Sequence, residues 1–328
     1  MSSQIRTLSY SLAINEALHQ SMEADSDVIL IGQGVKSPWY VGNTARGLIE
    51  AFGEERVIDT PVSENAITGS AVGAALSGLR PVVVHPRMDF MLFAFDPIIN
   101  QAANWSYMNG GNLSVPVVVW GIVNRGGEQG AQHSQALHAM FAHVPGLKVV
   151  MPATPYDAKG LMVAAIRDNN PVIYIDDRWL YGTAEHVPEE LYEVPVGKGV
   201  VRREGSHATV FALSYMVKEA MDAAGVLAAE GIDTEVVDLR SVKPLDVELI
   251  LASAEKTGRV VVADVGWKSF GVSAEIAALI SENLVSSMKS NLVRVSLPDL
   301  PAPASRSLEE AYYPKAPDII AAVRKVMS

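Results

Sequence analysis

Short runs of aliphatic and β-branched residues alternate along the chain with longer, Ala-rich stretches of helical period. The segments 28–32, 81–85, 116–123, 148–152 and 171–176 are almost continuously apolar and are bounded by Pro, Gly or Asn. Strands that face solvent on one side would alternate; continuous runs predict parallel strands covered on both faces. Between them, 8–23, 64–78, 95–108, 134–143 and 156–168 read as helices. This β–α alternation predicts a doubly wound α/β domain over 1–185. Pro, Glu and Gly accumulate over 183–199, which places a linker at 186–199. A second series follows, with strands at 208–213, 234–240, 259–265 and 292–298 and helices at 214–230, 245–256, 271–283 and 316–327. The expected fold class is therefore α/β with two doubly wound domains, the second over 200–328.

Length and charge narrow the classes of function. At 328 residues with 49% apolar content, the chain can bury two cores. Its net charge of −11 disfavours binding to nucleic acid or an anionic membrane by field alone. The chain has no cysteine, which removes disulfides, thiolate nucleophiles and Cys-ligated zinc and suits a cytoplasmic protein. The first twenty residues lack the apolar stretch of a signal peptide, and no run of 18 apolar residues predicts a membrane span.

Four places carry candidate chemistry. In Asp59-Thr60-Pro61-Val62-Ser63-Glu64-Asn65, Ser63 is a plausible N-cap and Glu64 falls in the first turn of a helix built from Ala, Gly and Ser. A glutamate there commonly does no more than complement the helix dipole. The loop 124–135 is Gly-rich and polar, follows an apolar strand and opens a helix; His133 within it is an acid–base candidate or a capping residue. His133, His138 and His143 are spaced by five, so they fan around a helix rather than form a zinc face, and His138 is expected at a surface or interface. Phe90, Phe93 and Phe95 offer rings for stacking on a heterocycle or for the core. Asp168-Asn169-Asn170 joins a helix end to a strand; its oxygens suit a hard monovalent cation or an ordinary polar turn.

These same residues carry a family resemblance. The segments 59–83 (DTPVSENAITGSAVGAALSGLRPVV), 107–111 (YMNGG), 130–173 (GAQHSQ through RDNNPVI), 270–276 (FGVSAEI) and the tail 297–314 resemble, in order and over nearly the whole chain, the beta chains of the 2-oxo acid dehydrogenase decarboxylating component, of pyruvate, branched-chain and acetoin type. The resemblance implies a thiamine-diphosphate pyrimidine-binding domain followed by a transketolase C-terminal-like domain. It also implies an alpha subunit in an α2β2 heterotetramer, with Mg2+ and the diphosphate held by the alpha chain and a lipoyl acyltransferase as acyl acceptor. By motif match, Glu64 is the carboxyl group that hydrogen-bonds the cofactor's pyrimidine nitrogen, Phe90 packs on that ring and Val62 contributes a backbone contact. His133 matches the active-site histidine. Val117, Ala165, Ile166, Asp168 and Asn170 match a potassium loop, mostly through backbone oxygens. The implied activity is decarboxylation of a pyruvate-like 2-oxo acid and transfer of the acyl group. Two other readings stay open: a split transketolase-like chain that moves a two-carbon ketol unit, and a non-catalytic structural subunit. Asn65, the stretch 32–48, His85-Pro86-Arg87, Arg125 and Glu128 depart from the family pattern and leave the substrate open.

Overall fold

The computed structural model describes residues 6–37 and 40–328; Pro38 and Trp39 of the divergent stretch, and the first five residues, lie outside the described residues. The chain divides into two compact units, 1–125 with 140–196, and 126–139 with 197–328.

The first unit contains strands β1 (Thr7–Ser9), β2 (Val28–Gly32), β3 (Val57–Asp59), β4 (Arg80–His85), β5 (Val118–Val123), β6 (Lys148–Val150), β7 (Val172–Asp177) and β8 (Ala184–His186). Its helices are α1 (Tyr10–Ala24), α2 (Leu48–Phe52), α3 (Glu64–Leu76), α4 (Ala103–Met108), α5 (His138–His143), which begins in the segment 126–139, and α6 (Pro155–Arg167). The main sheet runs β6-β7-β5-β4-β2-β3 with every pair parallel. Strands β2, β5 and β7 are buried at every residue, as their unbroken apolar runs require. Trp120 and Tyr174 meet edge to face at 6.4 Å in the middle of this core.

Parallel pairing fixes where a ligand can sit. The chain leaves β2 for β3 on one side and leaves β4 for β5 on the other. The switch point falls between the C-terminal ends of β2 and β4, where open α/β sheets form their crevice. Gly32 ends β2 at φ +157°, and a Cβ there would lie 2.5 Å from the Val84 carbonyl oxygen. Only glycine lets the two strand ends come this close.

The structure differs from the expectation in several places, and the helix expected over 134–143 begins only at His138. The helix expected over 95–108 is a wide π turn at Asp96–Ala102 followed by α4, and a 3₁₀ turn at Met88–Ala94 precedes it. Pro97 has no N–H to give to the preceding turn, which loosens the helix at its start. Within the Pro/Glu-rich stretch, Ala184–His186 pairs antiparallel with Thr7–Ser9, an edge contact too short to show periodicity.

Lys159 on α6 is fully buried yet fully engaged. Its ammonium donates to Glu16 at 2.6 Å and to the carbonyls of Pro188, Glu189 and Glu190 at 2.8–3.1 Å, and sits 5.1 Å from the Tyr192 ring centre.

The second unit holds β9 (Val200–Arg203), β10 (Ala208–Ala212), β11 (Thr234–Asp238), β12 (Ser241–Lys243), β13 (Val260–Trp267) and β14 (Val293–Leu297). Its helices are α7 (Tyr215–Ala229), α8 (Val247–Thr257), α9 (Val272–Leu284), α10 (Arg306–Tyr312) and α11 (Ala316–Met327). Its sheet runs β14-β13-β10-β11-β9, parallel except for the edge strand β9. Arg202 holds that edge through Asp238, with Nε and Nη2 at 3.1 and 2.8 Å.

Replacing Lys159 by Met leaves the Glu16 carboxylate and three carbonyls without their shared donor. We expect Lys159→Met to lower unfolding free energy by about 3–5 kcal/mol, measured by urea unfolding at pH 7; a change below about 1 kcal/mol would place this cluster outside the folding core.

Candidate active site

Glu64 is the first residue of α3, preceded by Ser63. The Ser63 side chain makes no capping bond, so the expected N-cap interaction does not form. Asn65 instead ties the helix start to the next segment, donating from Nδ2 to the Phe93 carbonyl at 3.2 Å. This joins α3 to the 3₁₀ turn that carries Phe90 and accounts for a polar residue at position 65.

A cavity of about 230 Å3 opens beside Glu64. At ~30 Å3 per water that is room for several waters, or for one small heterocycle. Glu64 and Val62 line it from the α3 side, Val84 and His85 from β4, and Phe90 and Phe93 from the 3₁₀ turn. Gln33 and Tyr40 close it from the loop after β2. Gln33 Nε2 donates to the Tyr40 hydroxyl at 2.9 Å. The carboxylate of Asp59, at the end of β3, accepts from the Gly34 and Val35 amides at 2.7 and 3.2 Å and shapes the start of that loop. Each of the three strand ends thus supplies part of the cavity.

Glu64 is half-buried, and among the described residues nothing hydrogen-bonds or ion-pairs with its carboxylate. A carboxylate at the mouth of an apolar cavity with no protein partner is available to a ligand. His85 is its opposite in character. It is 3% exposed, with Nε2 3.1 Å from the Thr68 hydroxyl, and burial pushes its pKa down to about 4. At neutral pH it is an uncharged wall.

Of the three phenylalanines, Phe90 and Phe93 line the cavity, Phe93 being 67% exposed, whereas Phe95 packs edge-on against Phe141 at 5.5 Å. Val62 is 66% exposed at the cavity rim.

His133 lies in the Gly-rich segment grouped with the second unit, half-buried, its amide donating to the Gly130 carbonyl at 3.4 Å. Two buried acids of that unit fix the segment. Glu309 accepts from the Glu128 amide at 3.1 Å, and Asp264 meets His138 Nε2 at 2.9 Å. The expectation that His138 lies at a surface is corrected: it is fully buried. Burial alone would raise the Asp264 pKa, but the His138 charge and hydrogen bond, with the Gly266 and Ser273 amides, hold it below the usual carboxylate range. Spacing along a helix could not reveal this partner 126 residues away.

The residues of the implied potassium loop gather where α6 ends. Val117, Ala165 and Ile166 are buried, and Asp168 and Asn170 are half-buried. Arg80 Nη1 donates to the carbonyls of Ile166 and Asp168 at 3.0 and 3.2 Å, and Nη2 to Asn169 Oδ1 at 2.7 Å. Lys148 pairs with the Asp168 carboxylate, and the Val117 carbonyl accepts from Val172 N at 3.0 Å. Two cationic side chains thus already stand on the loop, a feature the sequence spacing did not suggest. Each of these carbonyls retains a second lone pair beyond the bond it already accepts.

Comparison with known proteins bears on this arrangement. Residues 6–183 match the family described as the transketolase pyrimidine-binding domain, and 197–319 match the transketolase C-terminal domain. A solved structure entitled split gene transketolase, inactive beta4 tetramer, covers 98% of both chains with a TM-score of 0.81 at 25% identity. Fold and cavity define a transketolase-like protein of two α/β units. The chain is 43% identical over 98% of both chains to the beta subunit of acetoin:2,6-dichlorophenolindophenol oxidoreductase from Cupriavidus necator. It is 42% identical over 96% of both chains to the pyruvate dehydrogenase E1 component subunit beta of Rickettsia felis. It is 41% identical to the mitochondrial subunit of Bos taurus, over 96% of this chain and 89% of the other. The chain belongs to the family of 2-oxo acid dehydrogenase beta subunits. Among the described residues no helix is long and apolar enough to cross a membrane.

The His85 shift sets a pH dependence. Its folded pKa of about 4 lies below the unfolded value of 6.5, so its contribution to stability is complete above pH 6.5 and is lost as pH falls toward 4. Asp176, raised to about 7 chiefly by burial, runs the other way over part of the same range, so wild type is best compared with a His85 variant. We expect the stability difference between wild type and His85→Asn to shift by about 2–3 kcal/mol in favour of the variant between pH 7 and 4.5, read from urea unfolding at both pH values. A constant difference would mean that His85 protonates freely in the folded chain.

Proposed function

We propose that this chain is the beta subunit of a thiamine-diphosphate-dependent 2-oxo acid dehydrogenase, active with an alpha subunit in an α2β2 heterotetramer. The observation that carries this reading is Glu64: a half-buried carboxylate without a protein partner at the mouth of an apolar, aromatic-walled cavity. The donor set fits an aminopyrimidine, with Glu64 for the ring nitrogen and Phe90, Ile67 and Val84 for its faces. When bound, thiamine diphosphate supplies the electron sink for decarboxylation. Glu64 holds the proton shared with the pyrimidine nitrogen and so sets that ring's tautomer. Phe90 fixes the plane of the ring, and Val62 contributes its backbone at the rim. Neutral His85 keeps the inner wall free of a competing charge. His133 is assigned as the acid–base residue near substrate on its motif alone. Mg2+ and the diphosphate fall to the alpha chain, and a lipoyl acyltransferase is the proposed acceptor.

A split transketolase-like chain is the second reading, favoured by the 0.81 TM-score to a split-gene transketolase. The higher identity to dehydrogenase beta subunits favours the first. Turnover of a ketose donor and no turnover of any 2-oxo acid would reverse the order.

We expect Glu64→Gln, assembled with the alpha subunit, to lose on the order of 10²–10⁴-fold in turnover of a 2-oxo acid with a dye acceptor. Assembly, followed by light scattering, stays intact. Near-normal turnover would remove Glu64 from the chemistry.

The cation belongs to the same proposal. We expect K+ in place of choline, at equal ionic strength, to raise the midpoint of thermal unfolding. An identical midpoint would mean that Arg80 and Lys148 alone hold the α6 terminus.

A further inference from the structure

Arg87 stands two residues beyond the end of β4 and lines the same cavity as Glu64. Its guanidinium is only partly exposed. Among the described residues its one hydrogen bond runs from Nη1 to the adjacent Pro86 carbonyl, at 2.9 Å. Its Nε is buried with no partner. A guanidinium partly withdrawn from water with a buried donor unpaired is costly, and the cost is relieved when a ligand completes it.

Its surroundings sharpen the case. Burial and the Arg178 charge both push the Arg87 pKa down, while Tyr40, Asp89 and Tyr181 act the other way to a smaller extent. Arg178 also has a buried, unpartnered Nε; its Nη2 donates to the Tyr40 carbonyl at 2.5 Å, and its guanidinium lies 6.0 Å from the Tyr181 ring centre. Of the two acids that precede Arg178, Asp177 is engaged by Arg125, and Asp176 is buried, accepts from Tyr181 at 2.7 Å and is raised to about 7, so it carries only part of a charge at neutral pH. Arg125 in the same unit differs in having a buried carboxylate beside it. It pairs with Asp177 at 2.7 Å and lies 5.5 Å from the Trp179 ring centre.

A guanidinium on a cavity wall with its Nε unpaired, and a second cation in its field, calls for an oxyanion with planar or tetrahedral oxygens. A neutral aminopyrimidine offers none. The reacting carboxylate of a 2-oxo acid is a poor match, because it leaves as CO2. A strong ion pair to it would stabilise the ground state more than the transition state and slow the reaction. A second, non-reacting oxyanion costs nothing in this way, since it is bound equally before and after the carbon–carbon bond breaks.

We propose that Arg87, backed by Arg178, selects a substrate that carries an oxyanion, carboxylate or phosphate, in addition to its reacting 2-oxo acid group. This rests on the proposed cofactor site at Glu64. It gives Arg87 a specificity role and accounts for a cation where a neutral substrate needs none.

The test uses the complex assembled with the alpha subunit and a dye acceptor, with three probes: 2-oxoglutarate, 3-phosphohydroxypyruvate and the uncharged-chain 2-oxopentanoate. In wild type, kcat/KM is expected to favour one of the charged probes over 2-oxopentanoate by at least about tenfold. Whether the carboxylate or the phosphate probe leads identifies the oxyanion. In Arg87→Met that preference falls by roughly 10- to 100-fold, mainly through KM, and Arg87→Lys restores part of it. The preference also weakens with added salt. The proposal is overturned if neither charged probe outperforms 2-oxopentanoate in wild type. It is equally overturned if Arg87→Met lowers all three probes alike, or weakens cofactor binding instead of substrate choice. Glu64→Gln run in parallel separates the two readings. If Glu64→Gln remains active, the cofactor site itself is wrong. If it is inactive while Arg87→Met leaves the preference intact, only the anion-reading role fails.

Discussion

The parallel register of β3, β2 and β4 is the constraint on which the site depends. It brings Asp59, Gly32 and His85, the last residues of three strands, to one edge of the sheet. Asp59 then shapes the loop that carries Gln33, Gly32 lets β2 approach the Val84 carbonyl, and His85 forms the inner wall. Because β2 and β4 send their connections in opposite directions, a crevice is left between their C-terminal ends. Glu64 enters that crevice as the first residue of the helix after β3. The position of the carboxylate is thus a consequence of strand order, with helix α3 as the short arm that delivers it.

Charge is distributed over the first unit in two ways. Lys159 and Arg125 are buried and matched, Lys159 by Glu16 and three carbonyls, Arg125 by Asp177. Such groups fix the geometry of the fold, and losing one partner is expensive. Glu64 and Arg87 face the cavity without such partners. The difference between these two sets separates charges engaged within the fold from those that face the cavity, and the proposed roles of Glu64 and Arg87 rest on it.

Much of this was legible in the sequence. The buried strands announced themselves as continuous apolar runs, and 28–32 appears as β2 with the same bounds. The placement of Glu64 at a helix start followed from Pro61 and Ser63, although Ser63 makes no cap. Its chemical role did not follow from local physics, since a first-turn glutamate looks the same whether it complements a dipole or meets a ring. The role proposed for it rests on the ordered motifs around it. The short strands Val57–Asp59 and Ala184–His186 were missed, because three residues cannot show a period. His138 was misjudged because its partner, Asp264, is distant in sequence. The Arg80 and Lys148 contacts on the α6 terminus were equally invisible, being tertiary and made to backbone oxygens. The departures at His85 and Arg87 were visible as odd residues; that one is a neutral wall and the other an unmatched cation needed the structure.

The central claim is that the Glu64 carboxylate acts directly on the cofactor ring. The most direct measurement is the rate of hydrogen–deuterium exchange at the thiazolium carbon of thiamine diphosphate bound to the assembled complex, in wild type and in Glu64→Gln, before any substrate is added. The account predicts that exchange slows by at least about a hundredfold in the variant while the cofactor stays bound. Equal exchange rates with equal occupancy would contradict it.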